Sequence, residues 1–257
     1  MAEKKGKTLA ETQARRTEPS DPWERSTVLG ERGLGAGLPP RAKVDVPVEV
    51  PDDMDEASGQ RSEYLWDLYA LPQPVVLVTT TDLEGNVNCA PKNWVSCAGA
   101  DRFLFVCSTE HDTYRNAHTT KEFVVNVPGV ELVDRLHALA RRGTAMWENE
   151  LTRAGLTAVA SRKVRPPRIA ECRVHLECKV TLLHETDSAK DLKGDKAGTD
   201  VLVLGRVVAA SADAEVVRAP TYAERVKAIR PFVLTPVWNY QAVEDPRPLP
   251  EQWDLEY

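Results

Sequence analysis

The sequence predicts a mainly β domain, a barrel carrying short helical insertions. Three observations carry that expectation. Apolar, β-branched runs recur between residues 74 and 127 and again between 173 and 210. Turn signals such as Asp82-Leu83-Glu84-Gly85-Asn86 separate them. Helical periodicity is confined to brief stretches, the clearest running from Gly129 to Arg142. Many strands interrupted by short helices suggest closure into a barrel.

Residues 1–60 stand apart. They are rich in Lys, Arg, Glu, Gly and Pro and poor in aromatics. Such a composition buries too little apolar surface to offset chain entropy, so it reads as a flexible or draped polar arm. This leaves residues 61–257 as the folded domain with an extended C-terminal tail. Within the arm, Val44 to Val50 alternates apolar and polar residues and has the pattern of an edge strand, with Pro47 restricting it to an edge.

The folded part is read element by element. Tyr64 to Tyr69 forms a short helix or turn. Pro74 to Thr81 is a buried strand, and Gly85 supplies the turn after it. Val87 to Trp94 is a second strand that should leave the sheet near Pro91, which has no N–H to donate. Phe103 to Cys107 is a third strand. His111 to Asn116 is a helix start with Asp112 or Thr113 as N-cap. Phe123 to Val127 is a fourth strand. The Gly129–Arg142 helix stops at Gly143, and Glu148 to Gly155 makes a shorter one. Pro166 and Pro167 mark an extended loop. Strands Arg173 to Leu183 and Val201 to Ala210 follow, separated by a charged loop from Asp187 to Thr199. From Arg230 onward the Pro-rich chain reads as extended and draped, anchored by Phe232, Trp238 and Tyr240.

Bulk properties narrow the function. The 257 residues carry a formal net charge of −6, which argues against sequence-independent nucleic-acid binding. None of the five cysteines forms a C-x-x-C pair, so no metal site is expected. The positively charged start lacks an apolar segment behind it, and no apolar run reaches membrane-spanning length. The expectation is a cytoplasmic protein with reduced thiols, acting on a small molecule and engaging neither nucleic acid nor membrane.

Two polar clusters sit at strand ends, Asn88 to Trp94 and Ser108 to Asn116. They offer a cation (Lys92), a titratable ring (His111), hydroxyls (Ser108, Thr109, Thr113), amides (Asn88, Asn93, Asn116) and a helix N-terminus. That inventory suits a phosphorylated, flat, polar-edged ligand. Phosphate would take the helix N-terminus, hydroxyls and cation. A heteroaromatic ring would take backbone amides. Thr113 and Asn116 fall on one helical face. Asn126 within an apolar strand requires hydrogen-bonding partners, and Trp94 and Trp147 are candidate pocket walls or core anchors.

In their order and spacing, several segments resemble the flavin reductase-like family, flavoredoxin-like members included. They are Pro74 to Thr80, Gly85 to Pro91, Asp112 to Asn116, Glu122 to Pro128, Ala154-Gly155-Leu156, Arg165 to Glu171 and Leu176-Glu177-Cys178. The resemblance covers roughly residues 64 to 210. It implies an FMN-binding split β-barrel of Greek-key type, paired as a homodimer with the flavin near the interface. It also implies that Asn88, Cys89 and Ala90 belong to the flavin-contacting segment, the Cys89 thiol reading as buried and inert. Lys92 stands where many members have an aromatic or aliphatic residue, and Asn93 where many have Ser. The implied activity is hydride transfer from NADH or NADPH to flavin N5, with His111 meeting the phosphate or assisting at the ring. The alternatives are a flavoprotein with its own organic substrate, an electron carrier, or a non-catalytic FMN module. No G-x-G-x-x-G follows a strand; Gly33 to Gly37 lies in the arm.

Overall fold

The computed structural model describes residues 71–139, 150–186, 199–235, 239–244 and 246. The expectations for residues 1–60, for Tyr64 to Tyr69, for Trp147 and Trp238, for the helix end at Arg142 and for the loop over 187–198 lie outside these residues.

In chain order, the first strands are β1 (Gln73–Pro74), β2 (Val76–Thr81), β3 (Val87–Lys92), β4 (Val95–Cys97) and β5 (Arg102–Ser108). Helix α1 (Asp112–Thr120) leads to β6 (Glu122–Val127), and a 3-10 turn (Val130–Leu132) leads to α2 (Val133–Leu139). Then come α3 (Glu150–Arg153), β7 (Ala158–Val159), β8 (Arg168–Ile169), β9 (Val174–Thr186) and β10 (Asp200–Ala212). Helices α4 (Ala214–Arg218) and α5 (Tyr222–Ile229) precede β11 (Phe232–Thr235) and β12 (Asn239–Ala242).

Seven strands form one antiparallel sheet in the order β3-β2-β6-β9-β10-β5-β4. The sheet curls: β3 touches β5 although four strands lie between them in the ladder. Helix α1 packs against β2, β3, β5 and β6 and so spans the two approaching edges. This is a split barrel, as the sequence predicts.

Strand alternation builds the core on both faces. Val76 and Val78 of β2 meet Phe103, Phe105, Phe123, Val125, Cys178, Val201 and Val203 on one face. Leu77, one step out of phase, packs with Cys89, Leu132, Leu139, Leu151, Ile169 and Cys172 on the other. The second cluster binds α2 and α3 to the back of β2 and β3. Between β5 and β6 the Phe105 and Phe123 rings meet edge to face, with centroids 5.2 Å apart.

Strand β3 ends at Lys92, one residue past Pro91, near where the sequence reading has it leave the sheet. It is an edge strand, and Pro91 shares the parity of Cys89, whose N–H points away from β2; a proline costs no ladder bond there. The C-terminal segment is not merely draped: β11 pairs with β1 and with β12 in a separate sheet. Phe232 is buried there, its ring edge-on to the half-exposed Tyr240. Helices α4 and α5 were not expected, although Thr221 and Glu224 form a complete capping box at the start of α5.

Gly205 in β10 sits at a register shift against β9, where a Cβ would come within 2.5 Å of the Phe123 ring and 3.1 Å of the Cys178 Cβ. The closest packing of the inner core therefore depends on a missing methyl. Gly205→Ala should cost about 1–3 kcal/mol by overpacking. A urea midpoint lowered at unchanged slope would report it.

Candidate functional site

The site grows from the pairing of β2 with β3. Thr80 lies directly opposite Asn88 in that ladder. The Asn88 side-chain amide donates to Thr80 Oγ1 and to Thr113 Oγ1, each at 3.1 Å. The Asn116 amide donates to the same Thr80 oxygen at 3.2 Å. Thr80, Thr113 and Asn116 are all buried. Two strands and a helix thus converge on one hydroxyl. Asn88, Thr113 and Asn116 were anticipated from sequence; Asn88 bonds Thr113 directly, and Asn116 joins them through Thr80. Thr80, the acceptor shared by Asn88 and Asn116, was not singled out, because it reads as one more β-branched residue in a strand.

The start of α1 differs from the expectation. The N-cap is His111 in extended conformation, not Asp112 or Thr113, and no side chain caps the helix. The Asp112 carboxylate instead pairs with Arg115 at 3.0 Å, and the Thr113 hydroxyl is turned to Asn88. The His111 carbonyl accepts from the Tyr114 and Arg115 amides, and no side chain caps the first-turn amides. The loop before it is tightly turned. Ser108 Oγ accepts from the Glu110 amide, the Thr109 amide donates to the Thr199 carbonyl, and His111 Nδ1 accepts a long 3.4 Å contact from the Ser108 amide. Ser108, Thr109 and the exposed His111 therefore surround an open helix N-terminus.

Along β3, Asn88, Ala90 and Lys92 share one face, opposite Thr80, Val78 and Val76 respectively. Lys92 is 8% exposed, and among the described residues its side chain forms no hydrogen bond or ion pair. Burial pulls its ammonium below the ordinary lysine range, against the attraction of Cys107, Glu150 and Cys89. Burial likewise raises the Cys107 thiol to about 11, with Lys92 opposing. Cys107 directly precedes Ser108, which links the Lys92 neighbourhood to the loop before α1. Cys89 is fully buried, and its thiol is held well above the ordinary range by the same desolvation. Its backbone amide donates to Glu150 Oε2 at 2.6 Å. Glu150 was not foreseen; it lies 61 residues further along the chain.

Asn93 and Trp94 are placed differently. Asn93 donates its side-chain amide to Gln73 Oε1, and the Trp94 carbonyl accepts from the Val106 amide. Both lie where the chain turns from β3 toward β4. Asn126 is structural: its fully buried amide donates to the Leu77 carbonyl and accepts from the Ile169 amide.

Comparison with known proteins agrees with this architecture. The flavin reductase like domain model matches residues 68–229, and the chain belongs to that family. It is a flavin-related oxidoreductase. The uncharacterized protein YwrF of Bacillus subtilis (strain 168) is 32% identical over 168 residues, which cover 63% of this chain and 79% of YwrF. Among solved structures, nitrilotriacetate monooxygenase component B from Bacillus cereus aligns with a TM-score of 0.66 at 21% identity, over 82% of this chain and 100% of that one. A Shewanella frigidimarina NCIMB 400 protein with a split barrel domain aligns at 0.63 and 16% identity, over 78% and 98% of the two chains. At those identities the structural likeness speaks to fold. Among the described residues, no helix is long and apolar enough to cross a membrane.

Thr80→Val keeps shape but removes the shared acceptor, leaving a buried Asn116 amide unpaired. Loss of stability by about 1–3 kcal/mol is expected. A double-mutant cycle with Asn116→Ala should be strongly non-additive, since both changes break one bond.

Proposed function

We propose that the protein is an FMN-dependent oxidoreductase in which NADH or NADPH delivers hydride to flavin N5. The observation that carries this reading is Lys92: a largely buried lysine on the inner face of an edge strand, whose ammonium forms no ion pair among the described residues and feels only the longer-range attraction of Glu150, Cys107 and Cys89. An unpaired buried charge is costly, and a bound anion would relieve that cost. The uncapped start of the nine-residue α1 offers a second source of positive potential beside Ser108, Thr109 and His111. The donor set therefore fits a terminal phosphate and favours FMN over FAD, whose pyrophosphate must run onward. When bound, the flavin supplies hydride acceptance. The chain's own residues supply position and charge: Asn88 is fixed by Thr80 and Thr113, Ala90 and Lys92 follow it on one face, and His111 provides an exposed titratable ring at the helix start.

The test is equilibrium titration by flavin fluorescence with FMN, FAD and riboflavin. FMN should bind most tightly. Lys92→Met removes one charge-assisted contact, and FMN affinity should fall by about ten- to a hundred-fold with riboflavin much less affected. Tighter binding of FAD, or equal loss for FMN and riboflavin, would refute the assignment.

We also propose a homodimer. Leu104, Val106, Leu202, Leu204 and Leu182 are cross-strand neighbours on the outer face of β5, β10 and β9, and all remain partly or largely exposed. A contiguous apolar sheet face of this kind suits a second copy of the chain. Light scattering should give twice the 28.5 kDa chain mass. Leu182→Lys, at a site 48% exposed in the chain alone, should shift the protein toward monomer without unfolding it.

A further inference from the structure

Glu150 makes a contact that the flavin reading does not by itself require. Strand β3 has β2 as its one ladder neighbour, so alternate residues turn their amides out of the sheet. Those outward positions are Val87, Cys89 and Pro91. Pro91 has no N–H. Between Asn88 and Lys92, Cys89 therefore carries the one outward amide, and Glu150 Oε2 accepts it at 2.6 Å. The helix that presents Glu150 is itself braced. Leu151 is buried in the cluster behind β2 and β3, and Arg153 donates through Nε and Nη2 to the Ala138 carbonyl at 3.1 and 2.8 Å.

We infer that Glu150 is a positioning residue of the flavin site: its carboxylate tethers the free edge of β3 at Cys89 and so holds Asn88, Ala90 and Lys92 in the register the cofactor reads. The inference rests on the flavin reading above. One side of β3 is fixed by the ladder to β2. The other is fixed, at the centre of the ligand-facing segment, by a charge-assisted bond from a separate helix. An ionised carboxylate is the stronger acceptor. The groups that face it are Cys89 and Lys92 on β3, Arg153 on α3 and Asp112 on α1. Burial raises the carboxyl above the ordinary glutamate range, Asp112 adds to the rise, and the Cys89 amide, Arg153 and Lys92 oppose it. Protonation, and with it a weaker tether, therefore sets in at higher pH than for a surface glutamate.

The experiment uses FMN as probe with the full chain, its Glu150→Ala and Glu150→Gln variants, and amide exchange of the peptide containing Cys89 in flavin-free protein. Glu150→Ala should speed exchange at that peptide and weaken FMN by about ten-fold, the scale of one charge-assisted bond. Glu150→Gln keeps a neutral acceptor and should recover most of the affinity. Wild-type affinity should decline as pH falls through the raised Glu150 range, and that step should vanish in Glu150→Gln. An Ala variant that binds FMN like wild type, or exchanges at the wild-type rate around Cys89, overturns the inference alone. So does a Gln variant as weak as Ala. If the Ala variant fails to fold, the pH profile of Glu150→Gln decides, and a retained acid step overturns the tether. A wild-type protein that takes up no FMN overturns the flavin reading and this inference with it.

Discussion

One hydroxyl oxygen sets the geometry of this molecule. Thr80 Oγ1 receives the amides of Asn88 and Asn116, and through them it registers α1 against both β2 and β3. Everything proposed at the site depends on that registration. The open helix start, the loop from Ser108 to His111 and the inner face of β3 belong to three different elements, and the polar knot under α1 fixes their relation. Such a knot is stable because its members, buried but for the half-buried Asn88, bond to one another; a half-satisfied version would be worse than an apolar one.

The same logic repeats behind the sheet. Glu177, nearly fully buried in β9, accepts the amides of Arg162 and Lys163 and lies near Arg168. Asn126 holds the Leu77 carbonyl and the Ile169 amide. Both pin the Pro166-Pro167 loop, which cannot form a ladder of its own. Glu177 and Asn126 each have several partners. Lys92 is the contrast: it too is buried, yet among the described residues its side chain makes no hydrogen bond or ion pair and meets only the longer-range attraction of Cys107, Glu150 and Cys89. The difference separates polar groups that build the fold from the one on which the proposed phosphate contact rests.

The main sheet was legible because its signal is local. Val76 to Thr81, Phe103 to Cys107 and Phe123 to Val127 are runs of strand-favouring residues, and each forms a strand. The hairpin of β11 and β12 was less legible, since prolines flank it and its third strand, β1, lies more than 150 residues earlier. At the site, Asn88, Thr113 and Asn116 were readable as polar residues at strand and helix ends. Thr80 and Glu150 were not. A threonine in a β-branched run carries no mark of being an acceptor, and a glutamate on a four-residue helix carries no mark of reaching a distant edge strand. Long-range hydrogen bonds leave no periodicity to read.

The cysteines have a practical consequence. Four of the five are buried, with thiols that burial holds above the ordinary range, while Cys97 is exposed on the short edge strand β4. Alkylation follows thiolate and access together. A maleimide dye would thus mark β4 alone on the native chain, and later uptake at the other four would time the opening of the barrel. The protein carries its own clock for local unfolding, without an engineered label.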